Sequence, residues 1–207
     1  MVSEGLFVVF EGGDGVGKTT QTALLAEWVV QHGREAVVTL EPGGTAMGVV
    51  LRDLVLNPKW GEVSPRTEAL LYAADKAQHV DEVVLPALRR GAVVISDRYV
   101  DSMLAYQGAG RDLSADRVEQ IARWATQDLL PDLTVLLDLD PSLGVAGIAE
   151  KDRLEGAGDE VHQRARQGFL DLAARDPEHY LVVPARDPQE QIAAAVIARV
   201  ASLLSAA

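Results

Sequence analysis

The sequence predicts an α/β fold in which a five-stranded parallel sheet is flanked by helices. Five short apolar runs, rich in branched and aromatic residues, alternate with longer stretches that have helical spacing. This alternation is typical of parallel sheets, because a helix usually connects one strand to the next. With 207 residues the chain is long enough for a sizeable core, and we expect a single domain, residues 1–207. The predicted strands are residues 6–11, 36–40, 92–96, 133–139 and 180–183.

A glycine-rich loop follows the first predicted strand. Residues 12–19 read Gly-Gly-Asp-Gly-Val-Gly-Lys-Thr and match the pattern G-x-x-x-x-G-K-[ST], after which a helical pattern runs as far as Gly33. Strand, loop and helix in this order aim backbone N–H groups and a helix N-terminus at one point, which suits a polyphosphate. A chance match in a turn is the alternative, and the context on both sides disfavours it. The sequence therefore predicts a P-loop NTPase-type three-layer fold.

The loop residues have predicted parts in nucleotide binding. Lys18 is expected to reach the β- and γ-phosphates, and Thr19 is expected to hold Mg²⁺. The predicted nucleotide-binding residues are Gly12, Gly13, Asp14, Gly15, Val16, Gly17, Lys18, Thr19 and Thr20.

The composition limits the class of partner. The formal net charge is −12, from 31 acidic and 19 basic residues, which argues against nucleic acid or an anionic membrane as a partner. The absence of cysteine excludes disulfides and thiolate metal sites. The N-terminus shows no basic region followed by a cleavable apolar segment, and no run of about 18 uncharged apolar residues occurs. We therefore expect a soluble cytoplasmic protein.

Polar residues follow two further predicted strands where they end. Glu41-Pro42-Gly43-Gly44-Thr45 follows the second strand, and Asp97-Arg98-Tyr99 follows the third. The carboxyl ends of parallel strands meet at one edge of the sheet, so both segments should lie beside the glycine-rich loop. Asp97 is then placed to orient the magnesium shell, and Arg98 suits bidentate phosphate binding. A plain turn and a surface Asp-Arg pair are the alternatives.

The region between these strands is predicted to be helical. One helix covers residues 47–56 and carries Arg52, and the next begins at Ser64-Pro65, a good start signal. In this second helix Tyr72, Lys76 and His79 share one face, which could read a base or be an ordinary half-buried face. We assign His79 no role. Pro86 is expected to break or kink the helix before residue 91.

The C-terminal half repeats the alternation of strands and helices. Residues 101–111 are dense in groups that could line a pocket. A helix is expected from Ser114, with an inner apolar stripe that extends to Leu129. Residues 141–158 are charged and glycine-rich, as expected of either a mobile lid or a solvated loop. A helix over 161–173 and a last helix capped by residues 187–190 complete the chain.

Several separated motifs occur in an order that resembles bacterial thymidylate kinase. The resemblance spans nearly the whole chain, and it is more specific than the glycine-rich loop, which would name only a superfamily. Its most specific parts are Glu-Pro-Gly-Gly-Thr and the stretch from Asp-Arg-Tyr to Tyr-Gln-Gly. The matching segments are residues 11–20, 41–45, 72–78, 97–111, 131–134 and 152–155.

The resemblance implies roles for individual residues. Asp14 matches a carboxylate that contacts the deoxyribose 3′-hydroxyl, and Arg52 and Arg98 match arginines that bind the acceptor monophosphate. Tyr72 matches an aromatic ring that stacks on thymine, and Lys76 stands where an arginine usually bonds the base. The remaining implied site residues are Glu41 and Pro42 at the substrate, Ser102, Tyr106 and Gln107 around base and sugar, and Arg153 in a lid of about residues 144–158.

Three positions depart from the pattern of the family. Leu40 and Lys76 each stand where an arginine is common, which would weaken affinity without changing the reaction. The lid carries Gly147 where relatives usually have arginine. Transition-state charge would then rest on Lys18, Mg²⁺, Lys151 and Arg153, and turnover would be slow.

The implied function is that of a homodimeric kinase that uses ATP and Mg²⁺ to convert dTMP to dTDP for dTTP biosynthesis. Lys18, Arg98, Arg153 and Asp14 are the expected catalytic residues, with Thr19 and Asp97 at the metal. One alternative is a P-loop kinase for another nucleotide or nucleoside. Another is a GTPase-like switch or a non-catalytic nucleotide-binding protein, although the guanine motif Asn-Lys-x-Asp is absent.

Overall fold

The computed structural model describes residues 5–109, 113–143 and 159–206, and its centre is a five-stranded parallel sheet. The strand order is β2-β3-β1-β4-β5, so the first strand lies in the middle. All four pairings are parallel. The strands are β1 Leu6–Glu11, β2 Ala36–Leu40, β3 Val93–Asp97, β4 Leu133–Asp138 and β5 Tyr180–Pro184. The five predicted strands are therefore confirmed, with ends that differ by one residue at most.

Helices connect these strands. In the part of the chain that the structure describes, they are accompanied by two π-helical stretches, Val80–Val84 and Leu104–Ala109, and two 3₁₀ turns, Pro58–Trp60 and Pro141–Leu143. The α-helices of the described residues are α1 Lys18–Gln31, α2 Ala46–Leu56, α3 Pro65–His79, α4 Leu85–Arg89, α5 Val100–Met103, α6 Ala115–Ala125, α7 Asp159–Arg175 and α8 Gln189–Ala206.

The central strand packs against helices on both sides. Phe7 and Val9 of β1 belong to the core cluster that contains residues of α3 and α6. Val8 and Phe10 point the other way, into the cluster that contains residues of α1 and α8. Alternate side chains of a strand face opposite sides of the sheet, so a strand covered on both sides needs a continuous apolar run. The three-layer α/β/α architecture is confirmed.

Two details differ from the predictions. Helix α6 ends at Ala125, because Gln127 and Asp128 take left-handed backbone conformations with φ of 54° and 56°. Leu129 therefore packs against the core from outside the helix rather than from its inner stripe. The predicted break at Pro86 does not occur, because the backbone stays helical through the π-helical turn before it and Pro86 lies in the first turn of α4.

Some predictions fall beyond the described part of the chain. The predicted lid of about residues 144–158, with Lys151 and Arg153, lies outside the described residues, as does Arg111. Within the described ranges, no helix is both long and apolar enough to cross a membrane.

Candidate active site at the carboxyl ends of the strands

The glycine-rich loop connects β1 to α1 and folds around the Lys18 side chain. The Lys18 ammonium donates to the carbonyl oxygens of Gly13 at 2.6 Å and Gly12 at 3.2 Å. Gly12 has φ of 129°, and a Cβ there would lie 2.4 Å from the carbonyl oxygen of Leu137, so only glycine fits this approach to β4. Burial, with the Arg98 charge nearby, lowers the pKa of Lys18 to about 8. A bound anion would offset that loss of solvation.

Thr19 and Asp97 bring two oxygen ligands together at the mouth of the loop. The Thr19 hydroxyl donates to Oδ2 of Asp97 at 3.4 Å, although the two residues are 78 positions apart. Among the described residues there is no cluster of three or more His, Asp or Glu side chains that could hold a metal alone. A hydroxyl and a carboxylate fit Mg²⁺, which usually takes one or two protein oxygens together with water and phosphate oxygens.

Arg98 lies at the centre of the site. Its guanidinium donates to Oδ1 of Asp14 at 2.6 Å, to the Ser102 hydroxyl at 3.0 Å and to the Gly12 carbonyl oxygen at 3.0 Å. Burial alone would raise the pKa of the Asp14 carboxyl, but the Arg98 and Lys18 charges outweigh burial and lower it. Arg98 also has φ of 71°, unusual for a residue other than glycine. The end of β3 thus turns the guanidinium back toward the glycine-rich loop.

A buried carboxylate beneath Arg98 holds the start of α5. Glu11 accepts hydrogen bonds from the backbone N–H groups of Tyr99 at 2.9 Å and Ser102 at 3.1 Å. Its other oxygen accepts from the Ser102 hydroxyl at 2.6 Å. Burial raises the pKa of Glu11 although Arg98 lies nearby. The sequence assigned no role to Glu11, but a carboxylate at the end of a buried apolar strand was an available signal.

The segment that follows β2, residues 41–45, is held by a buried ionic cluster of Glu41, Lys76 and His79. The Lys76 ammonium lies 2.6 Å from one oxygen of Glu41, and Nδ1 of His79 lies 2.6 Å from the other. Nε2 of His79 is 2.6 Å from the Thr39 hydroxyl. Burial opposes the charge of Glu41, but Lys76 and His79 outweigh burial and lower its pKa. A Cβ on Gly44 would come within 2.6 Å of the His79 ring, so the glycine allows the loop to pass over this cluster.

Tyr72, Lys76 and His79 are all buried on α3, and His79, which was assigned no role, is a structural partner of Glu41. Tyr72 lines the cleft next to Lys76. The cluster could not be predicted from the sequence, because Glu41 lies 35 positions from Lys76 and 38 positions from His79.

Two adjoining clefts open at this edge of the sheet. The first, the phosphate cleft, has an empty volume of about 690 Å³ and includes the glycine-rich loop. The second, the acceptor cleft, has an empty volume of about 520 Å³. The phosphate cleft is lined by Asp14, Gly15, Gly17, Lys18, Thr19, Leu40, Glu41, Arg52, Asp97 and Arg98. The acceptor cleft is lined by Asp14, Glu41, Pro42, Arg52, Leu56, Tyr72, Lys76, Arg98, Ser102, Met103, Tyr106 and Gln107.

These linings bring together most of the predicted site residues. Every predicted substrate-binding residue lines the acceptor cleft. Arg52 reaches it from α2 and donates to the carbonyl oxygen of Pro42 at 2.7 Å. In the glycine-rich loop, Val16 is buried in the core and Thr20 is exposed on α1. Leu56 and Met103 are apolar lining residues that the sequence reasoning did not single out.

One residue of the acceptor cleft, Gln107, forms a buried polar pair with Glu68. The side-chain nitrogen of Gln107 donates to Oε1 of Glu68 at 3.0 Å. Glu68 is fully buried in α3, and Gln107 is 2% exposed. Glu68 was not among the predicted site residues, since it lies 39 positions away along the chain.

Comparison with known proteins adds a family to this geometry. The family model described as thymidylate kinase matches residues 10–196. The thymidylate kinase of Cutibacterium acnes is 59% identical over 201 residues, which cover 97% of this chain and 98% of the relative. That of Deinococcus radiodurans is 50% identical over 202 residues, 96% of this chain and 98% of the relative. A crystal structure of thymidylate kinase from Ehrlichia chaffeensis has a TM-score of 0.79 at 30% identity, over 95% of this chain and 98% of that one.

Proposed function

The chain belongs to the thymidylate kinase family and is an enzyme that phosphorylates dTMP, and we propose that it transfers the γ-phosphate of ATP between the two clefts described above. The observation that carries this proposal is the wall that the clefts share. Asp14, Glu41, Arg52 and Arg98 line both of them. The same charged side chains can therefore contact a phosphoryl group both on its donor and on its acceptor.

On the donor side, we assign the phosphate chain of ATP to the glycine-rich loop. Its backbone N–H groups and the N-terminus of α1 suit an anion, and Lys18 supplies a buried positive charge. Thr19 and Asp97 would hold Mg²⁺, which neutralises charge on the phosphate oxygens when bound. Lys18 would exchange its carbonyl partners, Gly12 and Gly13, for phosphate oxygens.

On the acceptor side, we assign the monophosphate of dTMP to Arg98 and Arg52. Asp14 would accept from the 3′-hydroxyl, and its present partner Arg98 keeps it ionised. Tyr72 offers its ring to the thymine, and Tyr106 and Ser102 flank the sugar. Lys76, Gln107, Glu41 and Pro42 also line this cleft, and the charge of Lys76 is already balanced by Glu41.

The protein has to position the two substrates and stabilise the charge on the transferred phosphoryl group, and no covalent intermediate with the protein is needed. An oxygen of the acceptor phosphate attacks the γ-phosphorus, the bond to the bridging oxygen breaks, and that oxygen leaves on ADP. Lys18 and Arg98 lie beside this path, where they stabilise the charge on the transferred group. We propose that Arg153, outside the described residues, adds a third cation.

An acceptor screen with ATP and Mg²⁺ tests the proposal. Release of ADP is measured with dTMP, dUMP, UMP and CMP, and Lys18→Ala is the negative control. We expect dTMP to be preferred modestly over dUMP, since a methyl group contributes only about 1 to 3 kcal/mol, and strongly over UMP and CMP. Equal efficiency on CMP and dTMP would instead support a general nucleotide kinase, and ATP-dependent binding without ADP release would support a non-catalytic nucleotide-binding protein.

We also propose a homodimer in the cytoplasm, with the chain as one domain. Helices α2, α3 and α6 pack side by side and expose apolar side chains. Trp124 of α6 is 83% exposed, which is unusual for a tryptophan. The other large apolar side chains exposed on these three helices are Met47, Val49 and Val50 on α2 and Leu70 on α3. Light scattering during size exclusion should give twice the chain mass, and Trp124→Glu should shift the protein toward the monomer. A monomeric wild type would contradict this part of the proposal.

A further inference from the structure

We propose that Glu68 is a positioning residue that fixes the amide orientation of Gln107 and thereby selects pyrimidines that carry a hydrogen on N3. The inference rests on the proposed function, because it concerns the base of the nucleotide that occupies the acceptor cleft. It starts from a buried pair, the side-chain nitrogen of Gln107 donating to Oε1 of Glu68 at 3.0 Å.

The first step is the direction of the amide. A glutamine amide has a donor end and an acceptor end, and rotation by 180° exchanges them. A carboxylate oxygen accepts hydrogen bonds and does not donate them, so only the nitrogen of Gln107 can face Glu68. Since Glu68 is fully buried in α3, water cannot take the place of that contact at low cost. The amide of Gln107 is therefore held in one of its two orientations.

The second step is the hydrogen-bonding group that the cleft presents to the base of the nucleotide. Gln107 lines the acceptor cleft together with Tyr72 and Lys76. The nitrogen end of the Gln107 amide is directed at Glu68 in α3, so we assign the opposite end, the carbonyl oxygen, to a ligand in the cleft. That oxygen accepts a hydrogen bond, so it matches the N3–H of thymine or uracil and opposes the N3 lone pair of cytosine. A buried acceptor that faces another acceptor leaves both unsatisfied, which is how a polar pocket rejects an analogue.

The test compares Glu68→Gln with the wild type. A glutamine at position 68 keeps the volume but can donate as well as accept, so the Gln107 amide becomes free to turn. Values of kcat/KM are measured for dTMP and dCMP in the same preparation, with ATP and Mg²⁺ saturating, and dCMP is also measured as a competitive inhibitor of dTMP phosphorylation. Because both values come from one preparation, their ratio does not depend on how much of the protein is folded.

We expect Glu68→Gln to lower the preference for dTMP over dCMP at least about tenfold. Most of the loss should lie in a higher KM for dTMP, since Glu68 acts on the base through the amide of Gln107 rather than on the reacting phosphate. Glu82→Gln is the matched control: Glu82 accepts from the amide of Gln78 at 2.7 Å, the same pair of groups, but exposed. This control should leave the ratio unchanged.

A ratio within about twofold of the wild type would overturn the inference, whereas a wild type inactive on dTMP would overturn the proposed function instead. If circular dichroism shows that Glu68→Gln does not fold, Gln107→Met replaces it. This variant keeps the length of the side chain and removes the amide. It should lower the same ratio, and an unchanged ratio would again refute the role of the pair.

Discussion

The buried ionic cluster of Glu41, Lys76 and His79 gives the sharpest test of how much a buried ion pair contributes to the free energy of unfolding. Glu41→Gln removes one charge and keeps the shape of the side chain. In the wild type, Glu41 is fully buried, and the Lys76 side chain 2.6 Å away is only 2% exposed. The variant leaves the Lys76 ammonium, which burial keeps from water, opposite a neutral amide.

The expected cost follows from this burial. Removing one partner of a buried ion pair destabilises a protein by about 3 to 5 kcal/mol, because the other charge is left uncompensated. A domain of this kind is stable by only about 5 to 15 kcal/mol in total, so the loss should be large. The pKa of Glu41 is lowered in the folded chain, so its contribution is complete above the usual value of 4.5 and is lost as the pH falls below that value. The difference between wild type and variant should therefore be greatest near neutral pH and should shrink in acid.

Urea unfolding followed by circular dichroism measures this difference at pH 7 and again below pH 4. The matched control is Glu35→Gln, which breaks the 2.8 Å pair of Glu35 with Arg90, whose side chains are 51% and 47% exposed. Its unfolding midpoint should scarcely move. The double variant Glu41→Gln with Lys76→Met removes both charges and should recover part of the loss. A loss below about 1 kcal/mol for Glu41→Gln, or a double variant less stable than the single one, would refute the reasoning.

Three further outcomes concern the chemistry. Lys18→Ala should keep the fold and reduce transfer by more than about tenfold, as measured by ADP release, because it removes transition-state charge stabilisation; a rate above a tenth of wild type would exclude the assigned role. Since the pKa of Lys18 is lowered to about 8, its proton is lost as the pH rises through that value, and kcat/KM for ATP in a pH profile should fall above it; a flat profile to pH 9.5 would contradict this. Arg153→Ala should lower kcat and kcat/KM alike, by about a hundredfold or more, and Lys151→Ala by less; an unchanged kcat for Arg153→Ala would mean that another residue supplies the charge.

The parts of this molecule that could be predicted from sequence are those with local signals. Strands buried on both faces require continuous apolar runs, so β1 and β4 were recognisable without any neighbour. The strand ends were recognisable because Glu41-Pro42 and Asp97-Arg98 interrupt such runs with polar groups, and the parallel sheet brings them to one edge. The family resemblance then supplied the identity of the lining residues.

The parts that could not be predicted depend on which elements meet. His79 reaches Glu41 only because α3 packs beneath the end of β2, and the two residues are 38 positions apart. Glu68 reaches Gln107 in the same way, across 39 positions. No spacing rule connects such residues, since a buried polar pair is fixed by tertiary packing rather than by the periodicity of either helix. The left-handed backbone of Arg98 is likewise set by its hydrogen bonds across the sheet edge.

The wall shared by the two clefts has a consequence for inhibitor design. Asp14, Glu41, Arg52 and Arg98 line the phosphate cleft and the acceptor cleft alike. A bisubstrate compound could therefore span both with a short anionic linker and bind with the effective concentration of two joined ligands. On the assignment proposed above, one substitution in this wall would weaken the binding of both ATP and dTMP, so resistance by this route would be costly to the cell.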